Sequence, residues 1–145
     1  MKVFLAADHA GFELKKTIKR HLEQADFEVE DLGPEELDKD DDYPVKAYDV
    51  ATKVLGEDDA RGILVCSSGQ GMAIAANRLS GIRASVIWSV DGAKETRLDN
   101  DSNVLSLPAQ MIDEDTALKI IDTWLATKFS GEERHLRRIK ELEDL

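Results

Sequence analysis

The sequence predicts a doubly wound α/β fold, a three-layer sandwich in which helices cover both faces of a parallel sheet of about five strands. Two observations carry this. Short apolar runs and amphipathic stretches of helical spacing alternate along nearly the whole chain, the pattern of repeated strand–helix units. At the centre, Gly62-Ile63-Leu64-Val65 passes through Cys66-Ser67-Ser68-Gly69-Gln70-Gly71 into Met72-Ala73-Ile74-Ala75-Ala76-Asn77-Arg78, a buried strand turning through glycines into a helix.

Taken in order, each element has a local cause. Lys2 to Ala7 is an apolar strand. Gly11 to Gln24 sets Phe12, Leu14, Ile18 and Leu22 at helical spacing among Lys and Arg. Phe27 to Leu32 alternates apolar and charged residues, a short half-exposed strand. Gly33 to Asp42 is an acidic loop opening on Gly33-Pro34. Tyr43-Pro44 begins a helix, since proline is tolerated in a first turn, and Ala47, Val50, Ala51, Val54 and Leu55 carry it to Gly56. The helix after Gly71 ends near Ser80-Gly81, Arg83 to Trp88 is a strand, and Asp91 to Asn100 is helical. Val104 to Leu107 is a strand stopped by Pro108. Asp113 caps a helix to Lys128 with Ala117, Ile120, Ile121, Trp124 and Leu125 on one face. Charged Glu132 to Leu145 forms the added C-terminal helix.

No repeat or low-complexity linker interrupts the pattern, so residues 1–145 are expected to form a single domain. In such Rossmann-like sheets, ligands bind beyond the carboxyl ends of the strands. That directs attention to Asp8-His9, the Tyr43 region, Cys66 to Gly71, Ser89 to Gly92, and Pro108 to Gln110.

The net charge of −11, from 30 acidic and 19 basic residues, disfavours a nucleic-acid or anionic-membrane surface. An anionic substrate would need local cations against that field. A single Cys excludes an intrachain disulfide and a Cys-rich zinc site, and no metal site is expected. The opening apolar run is short for a signal peptide and no run reaches a membrane span, so the expectation is a soluble cytoplasmic protein.

Three constellations can carry chemistry. The glycine turn after Cys66 aims backbone N–H groups at one spot ahead of a helix and so stabilises an anion, with a thiol at its lip. The helix N-terminus is expected to lower the pKa of that thiol. The plain alternative is a tight turn with a buried Cys. Asp8-His9 lies at the same sheet edge as Cys66 and is either a site pair or an Asp cap beside an exposed His. A Cys–His–Asp hydrolase is a third possibility, without a thiol-hydrolase motif to support it. Arg134 and Arg138, four apart, share a helix face that can bind phosphate or simply be solvated opposite Glu132, Glu133 and Glu141. His21, among Lys and Arg, is expected to be a solvated surface residue.

Together these segments resemble the ribose-5-phosphate isomerase B family, which also includes galactose-6-phosphate isomerase. The resemblance rests on Ala7-Asp8-His9-Ala10-Gly11, Asp42-Tyr43-Pro44 and Cys66-Ser67-Ser68-Gly69-Gln70-Gly71. It continues in Ala75-Ala76-Asn77-Arg78, Gly81-Ile82-Arg83-Ala84, Asn100-Asp101-Ser102-Asn103-Val104-Leu105, Arg134-His135 and Arg138. It implies aldose–ketose isomerisation of a phosphorylated sugar through an enediolate, without metal or organic cofactor, in a homodimer or dimer of dimers with shared sites. By position, Cys66 would move the proton between C1 and C2. Ser68, often Thr in the family, would assist transfer between the oxygens. Ser67, Gly69, Gln70 and Gly71 would hold the enediolate through their amides. Asp8, Tyr43 and Asn100 would line the sugar site, and His9 would contact phosphate with Arg134 and Arg138 of a second subunit.

Two positions depart from the pattern. Asp99 stands where the family usually has a ring-opening His, and Gln110 where it often has a phosphate-binding Arg. An ordinary Asp is ionised at neutral pH and is a poor acid. The expectation is therefore a preference for open-chain tetrose phosphates over ribose 5-phosphate. A non-catalytic sugar-phosphate-binding protein is the alternative.

Overall fold

The computed structural model describes residues 1–145. Five strands, β1 (Lys2–Ala7), β2 (Glu28–Asp31), β3 (Ala60–Cys66), β4 (Ala84–Val86) and β5 (Val104–Pro108), form one sheet in the order β2-β1-β3-β5-β4. Every adjacent pair is parallel. The helices are α1 (Phe12–Gln24), α2 (Tyr43–Gly56), α3 (Gln70–Ala76), α4 (Val90–Asn100), α5 (Glu114–Ala126) and α6 (Glu133–Glu143), with a short 3-10 turn at His9–Gly11 before α1. The predicted fold class is therefore found, with element ends shifted by a few residues.

Alternate side chains along the strands build two cores. Val3, Leu5, Ile63, Val65, Leu105 and Leu107 pack with Ile18 and Leu22 of α1, Ala93 of α4 and Ile120, Ile121 and Trp124 of α5. Phe4, Ala6, Leu64 and Cys66 face the other way, against Ala47, Val50 and Ala51 of α2 and Met72 and Ala76 of α3. Both faces of β1, β3 and β5 are thus covered, which is why these strands read as continuous apolar runs. Burying each Leu, Ile or Phe contributes about 1.5–3 kcal/mol. β4, at the sheet edge, is shorter than predicted; Ile87 N–H still donates to Ser106 O just beyond it, at 3.2 Å.

The strand order reverses between β1 and β3, so a crevice opens at their carboxyl ends, the usual ligand position in such sheets. Asp8 follows β1 and Cys66 ends β3, so both lie there. α4 runs back from the carboxyl end of β4 to the start of β5, so Asp99 and Asn100 lie at the opposite sheet edge. α6 is held at that same edge: Glu143 accepts from Gly81 N at 2.8 Å and pairs with Arg83 at 2.7 Å. No helix is long and apolar enough to cross a membrane.

Candidate active site

The turn after β3 is built around the Cys66 thiol. Gly69 N–H donates to Cys66 Sγ at 3.1 Å. Gly69 adopts φ +75, in the left-handed region that favours glycine. Its carbonyl accepts from buried Ser106 Oγ on β5 at 2.5 Å, which ties the turn to the sheet. A Cβ on Gly71 would meet the Tyr43 ring at 2.7–3.0 Å, so glycine there lets the ring lie against the turn. Ser67 Oγ donates to Gln110 Oε1 at 2.7 Å, and Gln110 N–H donates to Ser67 O at 3.1 Å. Gln110 thus braces the turn. Gln70 N–H donates to Ser68 Oγ at 3.4 Å.

The expected fall in the thiol's pKa is not found. Cys66 is 5 % exposed, and burial pushes the thiol up, with the Asp8 carboxylate adding to the rise. The backbone amides of Met72, Gly69 and Ser68 do pull it down, as a helix N-terminus should, but desolvation outweighs them.

Asp8 is buried and its Oδ1 accepts from Gly11 N–H at 3.0 Å. Asp8 N–H donates to Val65 O at 3.1 Å, fixing the residue beside the end of β3. The carboxylate is thus a cap and a neighbour of the thiol at once. His9 is exposed, and Asp41 Oδ1 takes both its backbone N–H, at 3.3 Å, and its ring Nδ1, at 3.0 Å. That hydrogen bond, with the Asp8, Asp41 and Asp38 charges, raises the pKa of His9, so the ring stays cationic over a wider range. Asp41 Oδ2 is buried without a partner. Such an atom costs about 1–3 kcal/mol, which marks Asp41 as placed for His9 rather than for its own solvation.

The second group is Asp99, Asn100, Arg134 and Arg138, and the structure does not bring it to Cys66 within the chain. Gly62 pairs with Val104 at one end of the β3–β5 ladder and Cys66 with Pro108 at the other. Those four residue steps span about 13 Å, and Asp99 and Asn100 lie before Val104. Asp99 meets buried His135 instead, Oδ1 to Nε2 at 3.4 Å. Arg134 pairs with Glu132 at 2.9 Å, and Arg138 is exposed. Asp41 and His135 were missed as functional candidates: Asp41 looks like one more acid in an acidic loop, and His135 was visible only within the terminal Arg-rich run. His21 is less solvated than expected; its Nε2 lies 2.7 Å from Asp122 Oδ1 across α1 and α5.

No three His, Cys, Asp or Glu side chains converge as metal ligands. A thiol beside backbone amides, a carboxylate and an imidazole at a sheet switch point defines an α/β protein equipped to move a proton on an anionic small molecule. The chain belongs to the family described as ribose/galactose isomerase, whose model matches residues 3–142. It is 40% identical over 139 residues to the ribose-5-phosphate isomerase B of Mycolicibacterium paratuberculosis, covering 96% of this chain and 87% of that protein. It is 38% identical to a putative sugar phosphate isomerase, YwlF, of Bacillus subtilis, over 99% of this chain and 96% of that one. Among solved structures, ribose-5-phosphate isomerase B of Mycoplasma genitalium with bound ribulose 5-phosphate superposes with TM-score 0.95 at 39% identity, covering 99% and 94% of the two chains. The Thermotoga maritima ribose 5-phosphate isomerase does so with TM-score 0.95 at 42% identity, covering 99% and 98%.

Proposed function

We propose that this chain interconverts the aldose and ketose forms of a sugar phosphate, as a cytoplasmic homodimer with shared sites. The observation that carries the reading is the Cys66 thiol facing amides at the β1–β3 switch point. The Cys66 thiolate takes the proton from C2 of the open-chain aldose. The C–H electron pair forms a C1–C2 double bond and leaves the oxyanion on O1, where the amides of Ser67 to Gly71 stabilise it. Ser68 passes the O2 proton to O1. The O2 oxyanion then reforms a carbonyl while Cys66 returns its proton to C1. His9 binds the phosphate, and Asp8 and Tyr43 line the sugar.

Asp99, Asn100, Arg134 and Arg138 sit at the sheet edge opposite Cys66, so one chain does not assemble both groups; a second copy supplies the missing one. A lone thiol suits a reducing compartment. A coupled assay over tetrose, pentose and hexose phosphates tests the activity. Wild type should turn over at least one of them and Cys66→Ala none; binding without turnover by wild type, or full turnover by Cys66→Ala, overturns it. Mixing inactive Cys66→Ala and Arg138→Ala chains tests the sharing. After exchange, about one site in four combines both intact halves, and activity should return to that level.

A further inference from the structure

Lys15 is 1% exposed in the first turn of α1, where the helical pattern calls for an apolar residue. Its three ammonium protons meet three acceptors: Asp31 Oδ1 at 2.8 Å, Asp31 Oδ2 at 3.0 Å and Pro34 O at 2.6 Å. Asp31 Oδ1 also accepts Gly33 N–H at 2.8 Å, and Gly33 O accepts Ala7 N–H at 3.1 Å. The first residues of the 33–42 loop are therefore fixed to α1 and to the end of β1. From Glu35 to Asp40 the loop is exposed, and its far end reattaches through Asp41 to His9. His9 and Lys15 belong to one continuous helical segment, so the loop is fastened twice to the same rod.

We propose that Lys15, through its pair with Asp31, is a positioning residue that sets the loop so that Asp41 grips His9. A buried ion pair is no better for stability than a well-packed apolar side chain of similar size. What an apolar side chain cannot do is fix the Asp31 carboxylate and the Pro34 carbonyl in place. The proposal rests on His9 contacting the substrate's phosphate, but its test does not need that activity.

The readout is the ring titration of His9, followed by NMR in the full chain. The charges facing this ring are Asp41 and Asp38 from the loop and Asp8 before it. Lys15→Met should move the His9 midpoint down toward the ordinary value of about 6.5, in the same direction as Asp41→Asn. It should also raise KM for the turned-over sugar phosphate by up to about tenfold with kcat nearly unchanged. Asp31→Asn keeps volume and a Gly33 acceptor while weakening the Lys15 contact, and should give the same shift in smaller measure. A folded Lys15→Met chain with wild-type His9 titration overturns the proposal. Should Lys15→Met not fold, Asp31→Asn decides by the same titration; failure of both to fold makes the pair a structural element only and overturns it too. A shifted His9 in an enzyme with unchanged KM would instead count against His9 as the phosphate contact.

Discussion

Asp99 Oδ1 lies 3.4 Å from the Nε2 of buried His135, so α4 and α6 meet through a carboxylate–imidazole pair. The family resemblance places a His at the position of Asp99; here an imidazole stands beside it on α6. If ring opening is done at this edge, His135 is the group able to donate a proton, with Asp99 orienting it. His135→Asn should lower kcat/KM for ribose 5-phosphate by about tenfold or more while leaving an open-chain tetrose phosphate nearly unaffected. Equal losses on both substrates would show that the pair holds α6 in place and has no part in ring opening.

The contact between Gly71 and Tyr43 gives a second test. A methyl group at position 71 would sit 2.7 Å from the Tyr43 ring, too close without movement of the ring or the turn. Overpacking of this kind costs about 1–3 kcal/mol. Gly71→Ala should therefore lose activity by displacing Tyr43 from the turn, where it is proposed to line the sugar, and Gly71→Ala with Tyr43→Phe should lose no more than Gly71→Ala alone. A melting curve beside the assay separates the local effect from general loss of stability.

Trp124 Nε1 donates to Ser102 Oγ at 2.9 Å, both fully buried between α5 and the start of β5. Removing the hydroxyl leaves the indole N–H without a partner, a penalty of about 1–3 kcal/mol. Ser102→Ala should lower the denaturation midpoint accordingly, with kcat unchanged, since this bond lies outside the turn at Cys66. Urea melts monitored by tryptophan fluorescence measure it directly.

The strands and helices were legible because both faces of β1, β3 and β5 are buried, leaving apolar runs that punctuate the helices. The strand order was not, because an alternating pattern fixes neither the β5–β4 inversion nor which loops share an edge. The same gap explains the site. Asp8, His9, Tyr43 and Cys66 each end a strand, follow one or open a helix and could be gathered from position alone. Asp99 and Asn100 close a helix, and only the fold shows that this end of α4 points away from Cys66. Asp41 and Lys15 were hidden by their residue types: an acid in an acidic loop and a Lys in a helix are solvated far more often than buried.

The thiol's environment makes the pH profile the most direct test of the chemistry. Burial, with the Asp8 charge beside it, holds the Cys66 pKa above that of an ordinary thiol, about 8.5. With the thiolate as the proposed base, kcat/KM of the free enzyme should rise with pH through neutrality and well into the alkaline range. The sign for stability is opposite. Below the ordinary thiol pKa both folded and unfolded chains hold the proton, and Cys66 has no effect. As pH climbs between the ordinary and the raised value, the unfolded chain releases its proton first, and the folded state loses stability. Asp8→Asn keeps the cap on Gly11 but removes the charge. It should move the ascending limb of kcat/KM to lower pH, and direct thiol titration by ultraviolet absorbance should shift with it, since this is the only Cys. A limb that stays in place after Asp8→Asn, or a flat profile in wild type, would mean that Cys66 is not the group whose ionisation sets the rate.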